Sequence, residues 1–468
     1  MSQLIWGQGF FGWIVPFLLI LSVVVFFHEL GHFLVARWAG VKVLVFSLGF
    51  GRELAGFTDR HGTRWKIAAV PLGGYVKFFG DESAASTPSN EALAEMTPEE
   101  REKSFHHKKV GPRAAIIAAG PVANFILGIV IFAVVALIYG KAAPPDARIT
   151  VLADSVAEAA GFRDGDRILR IDDKAVTMFQ EIDEIAAASP GVGLNFEVRR
   201  GDGVIAIRAT PKVQESPTWF GLGPVRRVGI LGLNPLFPAR IAVVPRGAAE
   251  SAGLKTGDMI LRIGDKPIAS FEDMRRIVAA NPGVGLSFEV RRGDGVITLT
   301  VTPKESQSQS GSAAAQRSGM IGVSPQVSDE DMLAVGPLEA LTFGADRVWY
   351  IITGTLGGIG KLFAGSGNAH DVAGVIGIAQ MSGDAASMGL PAVLGLCAIL
   401  SVSIGLLNLF PIPLLDGGHL LFCAAEAVRG RPLSERVQEI GFRIGLALVV
   451  LLMVFATYND ILRQFGLL

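Results

Sequence analysis

The chain alternates long uncharged apolar runs with stretches of ordinary polar pattern. No residue from Met1 to Phe27 is charged, and Phe10–Phe27 reads FFGWIVPFLLILSVVVFF. A second uncharged run covers Ala114–Gly140, a third lies within Ala385–Leu415, and a shorter apolar stretch, interrupted by Arg443, covers about Ile440–Tyr458. A helix needs roughly 20 apolar residues to cross a bilayer, so the pattern predicts four transmembrane helices. Between the first two, VKVLVFSLGFG and WKIAAVPLGGYVKFFG are β-rich, punctuated by Gly and still apolar. They predict strands lying at or dipping into the membrane surface. From Asp81 to Lys103 the pattern turns to Ser, Pro, Glu and Ala, a solvated linker with at most a short helix.

Between the second and third runs the chain repeats itself. Gly161–Lys212 aligns with Gly253–Lys304 at a constant offset of 92, with 31 of 52 positions identical. Each copy predicts strand, Gly turn, strand, helix (Glu181–Ala188; Asp273–Ala280), turn, and a hairpin closed by RRGDG. Each is followed by an apolar turn of one pattern, Gly229-Ile230-Leu231-Gly232 and Gly319-Met320-Ile321-Gly322, whereas Tyr139–Arg148 reads only as a Pro-Ala linker. Two such copies predict two small domains, with a Ser/Gln/Ala-rich flexible loop at 305–318 inside the second. Further on, VWYIITGTLGGIG is too short to span and predicts an interfacial element. The small residues of DVAGVIGIAQ predict close helix packing.

Composition agrees with a membrane protein. Half of the 468 residues are hydrophobic and 18% are charged, and the mean hydropathy is +0.44, too apolar for an ordinary soluble enzyme. A net charge of -1 gives no reason to expect a nucleic-acid partner. Two cysteines, Cys397 and Cys423, offer neither a disulfide framework nor a cysteine metal cluster. The N-terminal run lacks a basic flank and is too long for a signal peptide, so it is expected to stay as a membrane helix. Basic residues crowd the loop after the first span (Arg37, Lys42, Arg52, Lys108, Lys109, Arg113) and the segment between the third and fourth (Arg429, Arg431, Arg436). Both should be cytoplasmic, which places both termini and 141–384 outside.

The chemistry sits where the apolar pattern is broken. His28-Glu29-Leu30-Gly31-His32 ends the first run, and residues four apart share a helix face, so His28 and His32 can present two imidazoles to one ion. Glu29 is turned about 100° from His28, near enough to act as a base on a water at the metal without being a ligand. The spacing fits a zinc metalloprotease. A third ligand must come from elsewhere. Asp416 follows the Pro411-Ile412-Pro413 break at the end of the third run, at matching depth; His419 competes, and Asp416 is preferred because its carboxylate balances the charge of the ion.

Two resemblances extend this reading. The repeats, with stretches such as AGLKTGDMILRIGDKPI, resemble PDZ domains of bacterial envelope proteases, in a permuted order that puts the carboxylate-binding strand last. HELGH, FSLGFG, PLGGYVKFFGDE, AAGPVANF and NLFPIPLLDGGH together resemble the site-2 protease family over nearly the whole chain. The resemblance implies one catalytic zinc ion on His28, His32 and Asp416, with Glu29 as general base. It also implies that Asn408 holds the substrate backbone and that the strands within 41–80 present it. Gly229, Ile230, Leu231 and Gly232, with Gly319, Met320, Ile321 and Gly322, would contact substrate in the PDZ modules.

The expected fold is a multi-span α-helical membrane protein with four transmembrane helices, a membrane-associated β-region and two tandem circularly permuted PDZ (α+β) domains. Its parts are helix 1 (1–40), a cytoplasmic-side β-loop (41–112), helix 2 (113–140), PDZ domains (147–235 and 236–327), an interfacial helical region (328–384), helix 3 (385–418) and helix 4 (440–459). The family's usual partners are the lipid bilayer and single-span membrane proteins such as an anti-sigma factor already trimmed outside the membrane; some members clear signal-peptide remnants. The implied setting is the bacterial inner membrane, as a monomer with periplasmic PDZ domains and the active site near the cytoplasmic side. The rival expectation is a membrane-anchored PDZ scaffold without proteolytic activity.

Overall fold

A computed structural model describes residues 10–81, 96–217, 225–245, 247–308, 316–326, 331–363, 373–431 and 433–464. The chain divides into two units, one comprising 1–139, 335–356 and 368–468, the other 140–334 and 357–367.

Helices dominate the first unit: α1 (Phe10–Trp38), α2 (Val110–Tyr139), most of α3 (Pro337–Phe363), α4 (Val375–Met388), α5 (Leu390–Asn408), α6 (Asp416–Arg429) and α7 (Glu435–Gln464). By length and composition α1, α2, α5 and α7 could each cross a bilayer. A helix suits that setting because it satisfies its own backbone donors and acceptors where water is absent. Small residues let these helices approach closely. A Cβ on Gly31 of α1 would overlap the Ala119 carbonyl of α2, and one on Gly128 of α2 would meet Val402 of α5. Packing of small residues is expected where lipid leaves no hydrophobic drive between helices.

Strands β1 (Val43–Thr58) and β2 (Arg64–Phe78) fold back on themselves. Val45–Leu48 pairs with residues 74–77 and also with 64–67, while 53–58 adds to 64–68, so two strands build a four-ribbon sheet. The bends fall at Gly49, Gly51 and Gly73, all with positive φ. Phe46 stacks on Trp65 at 4.3 Å and meets Phe33 of α1 edge-on at 5.7 Å, tying the sheet to the helix that carries HELGH. Leu54, Phe57 and Leu72 remain exposed on this sheet.

Several elements differ from the sequence reading. VWYIITGTLGGIG belongs to a helix of 27 residues that starts at Pro337, because Leu338, Ala340 and Phe343 continue its apolar pattern upstream. The third span is α5 alone. Gly389 (φ +105°) separates it from α4, and Asp416 opens α6 instead of ending the span. The fourth span is longer than expected, reaching from Glu435 to Gln464. Its Asp460 is buried, and the two carboxylate oxygens accept from the N–H groups of Gly374 and Gly377 at 2.9 Å. Asp460 thereby supplies the N-terminal cap that Gly374 cannot give α4.

In the second unit each repeat closes on itself. Ile149–Val151 pairs with Leu233–Pro235, and Ile241–Val243 pairs with Val323–Pro325. The first strand of each repeat thus meets the last. Between them stand a four-stranded sheet and one main helix, Phe179–Ala188 or Phe271–Ala279. Equivalent residues fill both cores: Ile168, Phe196 and Val198 in one, Ile260, Phe288 and Val290 in the other. Tyr139–Arg148 is more than a linker, since Lys141–Ala142 pairs with Met332–Leu333 and brings the two ends of the repeat pair together. The loop expected at 305–318 is instead two paired strands, Lys304–Ser308 and Gln316–Met320; residues 309–315 lie outside the described residues. Most of the 81–103 linker does too, and its described end is a short helix, Pro98–Lys103, capped by Thr97 and Glu100.

Candidate metal centre

Helix α1 places His28 and His32 one turn apart, with Nε2 atoms 3.3 Å from each other. Two features let α2 lie against them. Gly31 permits the close crossing, and Gly120 leaves the space in which the rings sit, since a Cβ there would overlap His32 Nε2 and crowd His28 Cε1. From α2, the Ile116 carbonyl lies 2.8 Å from His32 Nδ1 and the Asn124 side-chain amide lies 3.2 Å from His28 Nδ1. Both Nε2 atoms are thereby turned to one point.

Asp416 reaches the same point from α6. The turn before it is strained: Leu414 has φ +109°, a region that side-chain-bearing residues rarely occupy. The glycines after it are required by packing. A Cβ on Gly417 would overlap the Leu409 and Phe410 carbonyls, and one on Gly418 the Ile412 carbonyl. The proline turn therefore folds directly onto the first turn of α6. The N-cap of that helix is Leu415, whose side chain makes no cap bond, and Asp416 is its first residue. Its Oδ2 stands 3.2 Å from His28 Nε2 and 3.5 Å from His32 Nε2, is buried, and has no hydrogen-bond partner of acceptable geometry.

These separations test whether a zinc ion fits. Tetrahedral zinc with bonds of about 2.0–2.1 Å holds its ligand atoms about 3.3–3.4 Å apart. The three atoms here are 3.2, 3.3 and 3.5 Å apart, and among the described residues His28, His32 and Asp416 form the only such cluster of metal-binding side chains. Two imidazoles and a carboxylate are also an ordinary donor set for a zinc site that keeps one position open.

The chain as a whole has relatives. The family model for peptidase family M50 matches residues 16–452. The chain belongs to peptidase family M50. A Rhizobium meliloti (strain 1021) protein, a zinc metalloprotease by name, is 40% identical over 97% of each chain. A relative from Agrobacterium fabrum with the same kind of name is 38% identical over the full length of both. The regulator of sigma-E protease RseP of Escherichia coli (strain K12) is 36% identical, covering 96% of this chain and 98% of that protein. This M50 chain is accordingly a membrane-embedded zinc metalloprotease, and the expectation of a scaffold without proteolytic activity falls.

The other site residues expected from sequence are not part of this three-atom cluster. Glu29 is 9% exposed and lies against Gly74 of β2, where a Cβ would crowd its Cγ. Asn408 is the last residue of α5 and is partly buried. His419 is on α6, where its ring packs against Phe442 of α7 at 5.4 Å and near Phe422. Gly229–Gly232 and Gly319–Gly322 belong to the repeats. In the first repeat Ile230, Leu231 and Gly232 border a shallow cleft whose other wall is Phe179, Ile182 and Ala186. Sequence reasoning gave no role to Asn124. Its signal was available: a primary amide in the middle of an uncharged span demands a buried partner.

Proposed function

We propose that this M50 protease cuts single-span membrane proteins within the bilayer, with zinc held by His28, His32 and Asp416 and with Glu29 as general base. One observation carries the reading: a buried carboxylate oxygen without a donor, set between two imidazole nitrogens at the edge lengths of a tetrahedral ion. Bound zinc supplies Lewis acidity toward water and a peptide carbonyl. Glu29 accepts the proton of the attacking water and returns it to the departing amide nitrogen. Its place beside Gly74 sets that base against residues 74–77, a ribbon paired to Val45–Leu48 on one side. A substrate helix hides its carbonyls in its own backbone bonds, so it must unwind before attack. An exposed sheet edge can replace the lost bonds, and Asn408 would help to hold the unwound backbone.

The repeats act as PDZ modules that select substrates already trimmed outside the membrane, and the Gly229–Gly232 and Gly319–Gly322 turns meet the trimmed chain. An anti-sigma-factor-like protein is the proposed main substrate, in keeping with a relative named as a regulator of sigma-E protease; signal-peptide remnants are a second class. The setting is the bacterial inner membrane, with periplasmic termini and repeats, a monomeric chain and a site near the cytoplasmic face.

Co-expression with candidate single-span proteins tests the activity. Intact enzyme should cleave at least one of them, and Glu29→Gln none. Cleavage by Glu29→Gln at the wild-type rate would contradict the assignment. Cysteines placed at Ser89 and Ser310, both outside the described residues, should label from opposite sides, Ser310 from outside; labelling from one side would overturn the orientation.

A further inference from the structure

The amide of Asn124, beside the proposed metal centre, is only half satisfied. Asn124 is fully buried on α2, its Nδ2 is set 3.2 Å from His28 Nδ1, and its Oδ1 has no partner. Its backbone is held firmly, because the Ser401 hydroxyl donates to the Asn124 carbonyl at 2.8 Å and Gly405 packs on its Cβ. The oxygen and nitrogen of a side-chain amide exchange places by a half-turn. That half-turn brings the orphaned oxygen to His28 and turns the N–H donor away from it.

The half-turn also fixes the chemistry of the ring. An imidazole that ligates through Nε2 carries its proton on Nδ1 and needs an acceptor there. His32 has one, the Ile116 carbonyl, to which its Nδ1–H donates at 2.8 Å. Resting on the zinc assignment proposed above, we infer that Asn124 is the matching positioning residue for His28: its Oδ1 accepts the Nδ1–H and leaves the Nε2 lone pair aimed at the ion. Helix α2 then sets the tautomer of both histidines, one through its backbone and one through a side chain, while α5 holds α2 in register.

Zinc affinity of the purified full-length protein, measured by competition with a chromophoric chelator, tests this, with the visible spectrum of the cobalt-substituted form as a second readout. Asn124→Leu keeps the volume and removes the acceptor; it should bind zinc about 10–100-fold more weakly and lose the intense tetrahedral cobalt bands. Asn124→Asp keeps an acceptor and should stay within a few-fold of wild type. A purely structural role predicts the reverse order, because a buried carboxylate disrupts packing more than leucine does. Wild-type affinity in Asn124→Leu, or an equal loss in Asn124→Asp, would overturn the inference. Should Asn124→Leu not fold, Asn124→Ala takes its place with the same expected loss. Asp416→Ala separates the two readings. If it loses zinc while Asn124→Leu does not, the inference alone fails; if it retains zinc, the ligand assignment fails.

Discussion

Asp416 in the membrane unit and Asp258 in the second repeat are both largely shielded aspartates, yet they are treated in opposite ways. Asp258 is 1% exposed and saturated: Arg292 donates from Nε at 2.8 Å and from Nη2 at 2.7 Å, and the Lys255 N–H adds a third bond at 2.9 Å. The first repeat does the same with Asp166, Arg200 and the Arg163 N–H. Asp416 has no such donor for Oδ2 and faces two imidazole nitrogens instead. A saturated buried carboxylate holds a fold together; one left open toward other metal-binding atoms calls for a cation. The contrast separates structural from functional acid without reference to any relative.

The comparison predicts a double dissociation. The largest effect falls on the open carboxylate's neighbour: Glu29→Gln should lower cleavage by roughly 10²–10⁴-fold or more while leaving the thermal transition of the repeats unchanged. Loss of the fold together with activity would erase the distinction drawn here.

Next comes the saturated carboxylate. Asp258→Asn should destabilise the second repeat by roughly 2–3 kcal/mol and leave zinc content intact. Burial alone would push the Asp258 carboxyl up, but the bonds from Arg292 and the Lys255 N–H outweigh it and hold the group below the usual carboxylate range. A lowered folded value means that its stabilisation is complete above the unfolded value of about 3.9 and is lost as pH falls through the folded one. The wild-type repeat should therefore weaken on acidification below about pH 4, and Asp258→Asn should lack that component. Unfolding monitored against pH in both proteins measures the difference.

The smallest effect concerns the place where the copies diverge. Asp164 and Arg276 form an ion pair between the repeats at 3.1 Å, and the Arg276 side chain is 56% exposed. The equivalent positions, Thr256 and Glu184, cannot form its mirror image. Arg276→Ala should change stability by no more than about 1 kcal/mol, less at high salt; a larger change would mean that the pair is structural after all.

Much of this was legible in the sequence because it rests on local rules. HELGH depends only on helical spacing, the repeats on identity at a fixed offset, and the spans on apolar length. Asp416 could be singled out as a charge after a long apolar run. The rest depends on approach between distant segments. Nothing local shows that Gly120 makes room for two imidazoles, that the glycines after Asp416 admit a proline turn, or that Asn124 stands beside His28. The length of α3 was missed for another reason: Asp346 and Arg347 interrupt its apolar run and hide a continuous helix when hydropathy alone is read.

Zinc content of purified Asp416→Ala, His419→Ala and Glu29→Gln tests the central claim most directly. The account predicts strongly reduced zinc in Asp416→Ala and a full equivalent in the other two, since His419 packs among aromatic rings on α6 and Glu29 acts on water. Full zinc in Asp416→Ala together with a zinc-free His419→Ala would contradict it and move the third ligand to the histidine.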